Sequence, residues 1–194
     1  PNRVLIGFCR GFLMEFDEGI ADIDAARSLA VRIGDRHVEV MSLESQGILL
    51  SFCDRHADAE PLLARGLALA ETIGARRFQS IVLAGLAACA LAAGRVSEAR
   101  ERIERALALA RETGMGFCGP MLLGLKARLL DDTREREQCR AEAEALLAQG
   151  CASHNTIDYH RQGIEDALAR SEWPRGLDHA AALDAYTRAE PLPY

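Results

Sequence analysis

The chain has 194 residues, a formal net charge of −6, a hydrophobic fraction of 49% and an aromatic fraction of only 5%. This balance indicates an Ala/Leu-rich helical protein. It argues against a nucleic-acid binder, because phosphate contacts supply most of the affinity of such proteins and require a basic face. The longest apolar stretch, 81–93, is too short for a hydrocarbon core that needs about 20 residues. We therefore expect no direct contact with nucleic acid or membrane.

Six cysteines occur without any Cys-x-x-Cys pair. Several of them stand among small and apolar residues, which is typical of free thiols that pack as small core residues in a reducing compartment. We therefore expect a cytoplasmic protein. Because the chain begins at Pro1 without an initiator methionine, we also expect it to be a piece of a longer protein.

Apolar residues recur at helical spacing along the chain and predict ten helices in five hairpins. The first helices of the hairpins are predicted at 3–16, 36–53, 76–93, 117–130 and 154–171. The second helices are predicted at 18–33, 57–73, 97–113, 134–149 and 177–189. Glycines in left-handed conformation are expected to end helices at Gly34, Gly74, Gly114 and Gly150. Helix caps are expected at Asp58, Ser97 and Asp132.

A ladder of small and apolar residues repeats every forty positions on the second helices. Its members are Gly19, Ile23, Ala26 and Ala30, then Ala59, Leu63, Gly66 and Ala70, then Ala99, Ile103, Ala106 and Ala110. The first helices carry a shorter ladder: Leu43, Gly47, Leu50, then Leu83, Ala87, Ala90, then Leu123, Ala127, Leu130. Steps of three and four place the members of each ladder on one helix face. A fixed period of this length is typical of stacked helical repeats, so we predict one continuous all-α domain over 1–194.

The predicted first helix departs from this pattern. It carries Phe8, Phe12 and Phe16 at a spacing of four residues, which predicts an aromatic stripe. The stripe either packs against an adjacent helix or forms an exposed surface for a homodimer through this terminal helix.

Both ladders resemble those of the tetratricopeptide-repeat class. The resemblance lies in the small residue of the first helix (Gly47) and in the Ala-x3-apolar-x2-small run of the second, from Ala59 to Gly66. It implies a right-handed superhelix of about five hairpins whose first helices line a concave, partner-binding face. The period of forty departs from the usual period of about 34, and Leu and Ala mostly replace the aromatic signatures.

Longer, Ala/Leu-rich copies of this kind are similar to the C-terminal repeat region of large bacterial signalling ATPases. These include LuxR-type regulators and nucleotide-cyclase-linked proteins. The tail 185–193 is similar to a segment of the cyclase-linked kind. The resemblance implies a regulatory region that receives a partner and relays its presence to an upstream output domain.

The resemblance also implies which residues meet the partner, namely those one turn away from the packing ladder of the first helices. We call them the predicted strip: Met41, Glu44, Ile48, Phe52, Ile81, Ala84, Ala88, Met121, Arg128, Asp131 and His160. An apolar strip with a few charges suits an amphipathic helix or an extended peptide. The alternative is that these side chains contact the next repeat.

Two patterns could carry chemistry. Gly114, Gly116 and Gly119 have the G-x-G-x-x-G spacing of a dinucleotide site, but a charged helix precedes them where that site requires a strand, so a turn between helices is favoured. His154, Asp158 and His160 with Cys151 offer at most three metal ligands in poor register. No Gly-x-Ser-x-Gly elbow occurs. Acidic residues, with His37, His56 and His179, are expected at the surface, so we expect no enzyme, cofactor or metal.

Together these patterns predict a non-enzymatic module that binds a protein or peptide. The alternative is a sensor domain that holds a small-molecule effector in a closed pocket, and a third possibility is a structural spacer.

Overall fold

The computed structural model describes residues 1–188, and this part of the chain forms ten α-helices and no strand. The helices are α1 Asn2–Phe12, α2 Phe16–Ile33, α3 Arg36–Phe52, α4 His56–Thr72, α5 Arg76–Ala92, α6 Val96–Thr113, α7 Gly119–Leu129, α8 Thr133–Gln149, α9 His154–Arg170 and α10 Trp173–Thr187. The predicted all-α class is confirmed. Of the tail 185–193, residues 189–193 lie outside the described range, as does residue 189 of the last predicted helix.

Two helix bounds differ from the prediction by four residues, and the others lie within two residues of it. The first helix ends at Phe12 rather than at residue 16, because Met14 adopts a left-handed conformation with φ 63° and turns the chain. The last helix begins at Trp173 rather than at 177, because Pro174 occupies its first turn, where a missing backbone N–H costs nothing.

The predicted glycine stops are confirmed. Gly34 has φ 74° and Gly74 has φ 69°, and Gly114 also has a positive φ. Gly150 ends α8 with φ 91° but ψ 130°, which lies outside the left-handed helical region predicted for it. A residue with a Cβ would be strained at these positions, whereas glycine adopts a positive φ without a steric penalty. The stops therefore set where each hairpin begins.

The predicted caps are only partly right. Asp132 accepts a hydrogen bond from Glu135 N at 2.8 Å and caps α8 as predicted. The assignments of Asp58 and Ser97 are wrong, because α4 already begins at His56 and α6 at Val96, which leaves both residues inside a helix. An unpredicted cap comes from Asp35, whose carboxylate accepts from Val38 N.

The chain forms two compact units that divide after Arg102, within α6. In the first unit, consecutive helices pack in pairs, and α3 also contacts both α1 and α5. In the second unit, α7 packs on α8 and α9, and α9 packs on α10. Within each unit, odd-numbered helices therefore lie side by side, which is compatible with a helical-repeat fold. A single continuous domain stays a prediction.

The ladder residues form the core. Every residue of the second-helix ladder is buried, and of the first-helix ladder only Leu130 remains half-buried. A Cβ on Gly47 would lie 2.5 Å from Cγ of Leu63, and one on Gly85 would lie 3.0 Å from a methyl of the same leucine. The small residue in α3 therefore lets the α4 leucine pack directly on the backbone.

The N-terminal aromatic residues pack against a neighbouring helix. The rings of Phe8 and Phe12 lie 5.1 Å apart in an edge-on arrangement, and Phe12 lies 6.1 Å from Phe52 of α3. Phe16 does not extend the stripe, because it begins α2. The exposed large apolar residues here are instead Leu5 and Ile6 of α1 and Leu13, which follows it. A homodimer through this helix stays a prediction.

Within the range that the structure covers, no helix is both long and apolar enough to cross a membrane.

Candidate functional site

The predicted strip is largely apolar and only partly accessible. Its half-buried members in the first unit are Met41, Ile48, Phe52 and Ala88, and its buried members there are Glu44, Ile81 and Ala84. In the second unit, Met121 is buried, Arg128 and His160 are half-buried, and Asp131 is exposed. Met41 and Phe52 also pack against the core that α1, α2 and α3 share. Contact between neighbouring helices therefore accounts for part of the strip.

The charged members of the strip are not free anchors. Glu44 is only 6% exposed, and Ser45 Oγ donates a hydrogen bond to its carboxylate at 3.0 Å. Arg128 forms an ion pair with Glu165 of α9 at 2.6 Å. The half-buried apolar side chains, rather than these charges, are therefore the accessible part of the strip.

The odd-helix face is our name for the half-buried apolar residues of α1, α3 and α5 on one side of the first unit: Phe12, Met41, Ile48, Phe52 and Ala88. Ile48 and Phe52 are one turn apart on α3, and Ala88 occupies in α5 the place that Ile48 occupies in α3. The contact between Phe12 and Phe52 makes the face continuous from α1 to α3.

A second feature, the polar cluster, lies inside the second unit. It consists of Arg140 of α8, Tyr159, His160, Gln162 and Asp166 of α9, and His179 of α10. The sequence prediction of a surface position is wrong for His179, which is 9% exposed, and for Asp166, which is 5% exposed. Gly163 makes the space, since a Cβ there would lie 2.5 Å from Nε2 of His179.

Buried charges in the polar cluster are paired. Arg140 Nη2 donates to Asp166 Oδ2 at 2.6 Å, and Arg170 Nε donates to the other carboxylate oxygen at 2.8 Å. A second nitrogen of Arg170 donates to Leu130 O at 3.1 Å, at the end of α7. This bracketing by two arginines offsets the cost of burying Asp166.

Two histidines meet within the cluster. Nδ1 of His160 and Nδ1 of His179 lie 3.0 Å apart, so one nitrogen must carry the proton and the other must accept it. The Tyr159 ring stands edge-on to both imidazoles, and its hydroxyl donates to Glu144 at 3.1 Å. Burial lowers the pKa of both histidines, with Arg140 adding to the effect at His179. Burial also raises the pKa of Tyr159.

The cluster encloses a small cavity of about 10 Å³, room for roughly one water molecule. Gln162 lines it and is 5% exposed, and its Oε1 has no hydrogen-bond partner. An organic effector does not fit there. A larger open groove of about 490 Å³ lies among α2, α3 and α4, where Arg65 bonds Glu39 at 2.6 Å. The sequence patterns did not indicate either space.

The turn with G-x-G-x-x-G spacing joins α6 to α7, as predicted, and α7 begins at Gly119. Asn155 is fully buried against this turn: Met121 N donates to its Oδ1 at 3.3 Å, and its Nδ2 donates to Phe117 O at 2.9 Å. Asn155 thereby forms hydrogen bonds with backbone groups at this turn, a role that the sequence did not indicate.

The other candidate metal ligands do not converge. In residues 1–188 no group of three or more His, Cys, Asp or Glu side chains is suited to a metal ion. Asp158 is buried, contrary to the expected surface position, and burial raises its pKa while Arg161 opposes the shift. Cys89, Cys118 and Cys139 are buried free thiols. Burial raises the pKa of Cys89 and Cys139, so neither is an activated nucleophile.

No protein-family model matches the chain, and no curated protein matches it. The resemblance to the tetratricopeptide-repeat class therefore rests on the ladder residues.

Proposed function

We propose that this chain is a non-enzymatic interaction module that binds a peptide segment of a partner protein along the odd-helix face. The observation that carries the proposal is the side-by-side packing of α1, α3 and α5, which leaves half-buried apolar side chains in a row. Such a row suits the apolar face of an amphipathic helix or alternate side chains of an extended peptide. Phe12 and Phe52 are aromatic, and aromatic residues are enriched at protein interfaces.

The wider context belongs to the same proposal. The ladders support a tetratricopeptide-like superhelix of about five hairpins, within a bacterial signalling or transcription-regulating protein of the LuxR-type or cyclase-linked kind. Buried free thiols at Cys89, Cys118 and Cys139 support a reducing, cytoplasmic compartment. Pairing of Asp166 with two arginines supports a structural rather than a catalytic role for the buried acids. No role for nucleic acid or membrane is proposed.

The test is an affinity capture with matched variants. The parent domain is compared with Ile48→Glu, which puts a charge on the odd-helix face, and with Leu5→Glu, the same change at an exposed apolar residue of α1. We expect one partner retained by the parent and by Leu5→Glu and lost by Ile48→Glu. Helical circular dichroism establishes that each variant is folded. Equal retention by all three folded proteins would refute the odd-helix face.

A second candidate function is an effector sensor, and the open groove among α2, α3 and α4 favours it. Its volume falls in the range of small-molecule sites, and Arg65 and Glu39 could orient a polar ligand. A ligand that binds there would raise the melting temperature of the parent by mass action. The same ligand would leave the melting temperature of Arg65→Ala unchanged. A metabolite screen with no stabilising compound would count against this candidate and leave the peptide proposal standing.

A further inference from the structure

The attachment of α10 depends on very few side chains. Among residues 173–187, only His179 and Leu183 are buried, whereas Trp173, Leu177 and Tyr186 are exposed. Arg175 of α10 also donates to Glu137 of α8 at 2.7 Å, but its side chain is partly exposed. Loss of the His179 contact therefore removes one of the two buried side chains of α10.

The geometry of the histidine pair makes this contact sensitive to protons. With both imidazoles neutral, one Nδ1–H donates to the other Nδ1 across 3.0 Å. One added proton is tolerated, because an imidazolium still donates through its Nδ1–H and does so more strongly. A second proton must occupy the accepting Nδ1. The hydrogen bond is then lost, and two positive charges face each other at that distance.

The surrounding charges act on the two histidines in opposing directions. A charge on His179 lowers the pKa of His160, whereas Glu144 of α8 raises it. Arg140 lowers the pKa of His179, whereas Asp178 of α10 and Asp166 of α9 raise it. On α7, Lys126 pairs with Glu104 and Arg128 pairs with Glu165. Whichever histidine donates, the second proton must occupy the Nδ1 that accepts.

We propose that the His160–His179 pair is a proton-operated latch: it holds α10 on α9 while it carries at most one extra proton, and it releases α10 when both imidazoles are protonated. Release uncovers apolar side chains on both helices, namely Leu183 of α10 and Ala167 of α9, which are buried while α10 is docked. An acidic compartment or medium would thus change the surface of the second unit. This inference does not depend on the proposed peptide-binding role.

The direction of the effect follows from linkage. Burial holds the pKa of both histidines below the ordinary value of about 6.5. The released pair therefore binds more protons than the docked pair below about pH 6.5. The docked form is fully stabilised above that pH and loses stability as the pH falls through the lowered pKa values.

The test combines histidine NMR with amide hydrogen exchange on the whole chain from pH 8 to pH 4.5. At pH 7.5 we expect one of the two histidines as the Nδ1–H tautomer and the other as the Nε2–H tautomer. When the second histidine is protonated, the protection of α10 amides, corrected for intrinsic exchange, should fall at least tenfold relative to α3. Unchanged protection of α10 with both histidines protonated would overturn the latch.

Two variants make the test specific. His160→Gln leaves one imidazole, so the pair can no longer become doubly charged, and the loss of α10 protection at low pH should be clearly smaller than in the parent. His37→Gln removes an exposed histidine of α3 and should behave as the parent. A parent-like pH response in folded His160→Gln would overturn the proposal. If that variant is not folded at pH 7.5, the parent protein alone tests the proposal. In the parent, the loss of α10 protection must coincide with protonation of the second histidine.

Discussion

The two units use glycine in the same way but fill the space with different chemistry. In the first unit, Leu63 packs on the backbone at Gly47 and Gly85, and Leu49 packs on Gly11 and Gly19. In the second unit, Gln162 lies against Gly124 and His179 lies against Gly163. Apolar side chains in such a position contribute burial energy that does not depend on pH. Polar side chains in such a position require hydrogen-bond partners, and His179 also responds to protons. The packing of the second unit is therefore expected to depend on pH.

The largest expected effect is on the leucine that spans two glycines. Leu63→Ala removes a fully buried side chain from α4 and leaves a cavity beside both glycines. We expect a loss of about 3–5 kcal/mol in the free energy of unfolding, measured by urea denaturation at pH 7.5. Leu5→Ala, at an exposed position, should stay within about 0.5 kcal/mol of the parent. A cost below about 1 kcal/mol for Leu63→Ala would mean that the first unit is not held by this contact.

The corresponding change in the second unit concerns charge rather than volume. Asp166→Asn leaves the buried guanidinium of Arg140 without its carboxylate at 2.6 Å. We expect a loss of about 3 kcal/mol, because the buried guanidinium then keeps at short distance only Glu137, whose side chain is 48% exposed. Asp184→Asn, whose carboxylate pairs with Arg188 at the surface, should cost less than about 1 kcal/mol. Equal costs for the two variants in urea denaturation would contradict the assigned importance of the buried pair.

A smaller effect is expected when a glycine of the second unit is filled. Gly163→Ala places a methyl group 2.5 Å from the His179 ring, which must then move. We expect a cost of about 1–3 kcal/mol and weaker protection of α10 amides in hydrogen exchange. Gly116→Ala is the matched control, since its nearest contact would be 4.0 Å away. Undiminished α10 protection in Gly163→Ala would show that the fit of His179 on the glycine is unimportant.

The smallest expected effect is a gain. Gly176 lies inside α10, and a Cβ there would meet Ala167 at an ordinary contact distance of 3.4 Å. Gly176→Ala should stabilise the helix by about 0.5–1 kcal/mol, because alanine loses less conformational entropy on folding. The α10 amides should exchange more slowly, and release of α10 should need a lower pH. Faster exchange would indicate that α10 packs differently on α9.

Much of the first unit could be predicted from the sequence. Its ladder consists of small and apolar residues at fixed spacing, so burial of Ile23, Leu63 and Gly66 followed directly from periodicity. The glycine stops were equally local signals, because a left-handed residue at a helix end needs no distant partner. What could not be derived was accessibility: Glu44 is buried by helices whose packing the ladder does not encode.

The burial of polar residues in the second unit could not be predicted from the sequence, for a physical reason. Burial of Arg140 depends on Asp166, which lies 26 positions further along the chain, and burial of His179 depends on His160 and Gly163. Hydrophobic periodicity cannot recognise polar residues that are buried through such distant partners. A usable signal was present in Gly124 and Gly163, since glycine inside a helix costs about 1 kcal/mol and indicates close packing.

The most direct measurement of the proposed function is site-specific photo-crosslinking from the two surfaces of the first unit. A photoreactive phenylalanine analogue replaces Ile48 on the odd-helix face, or Leu5 on the exposed side of α1, and the domain is exposed to partner proteins from its source cells. The account predicts that one partner peptide crosslinks at position 48, is not crosslinked at position 5, and is displaced by unlabelled parent domain. Crosslinking of that partner only from position 5 would contradict the odd-helix face as the binding surface.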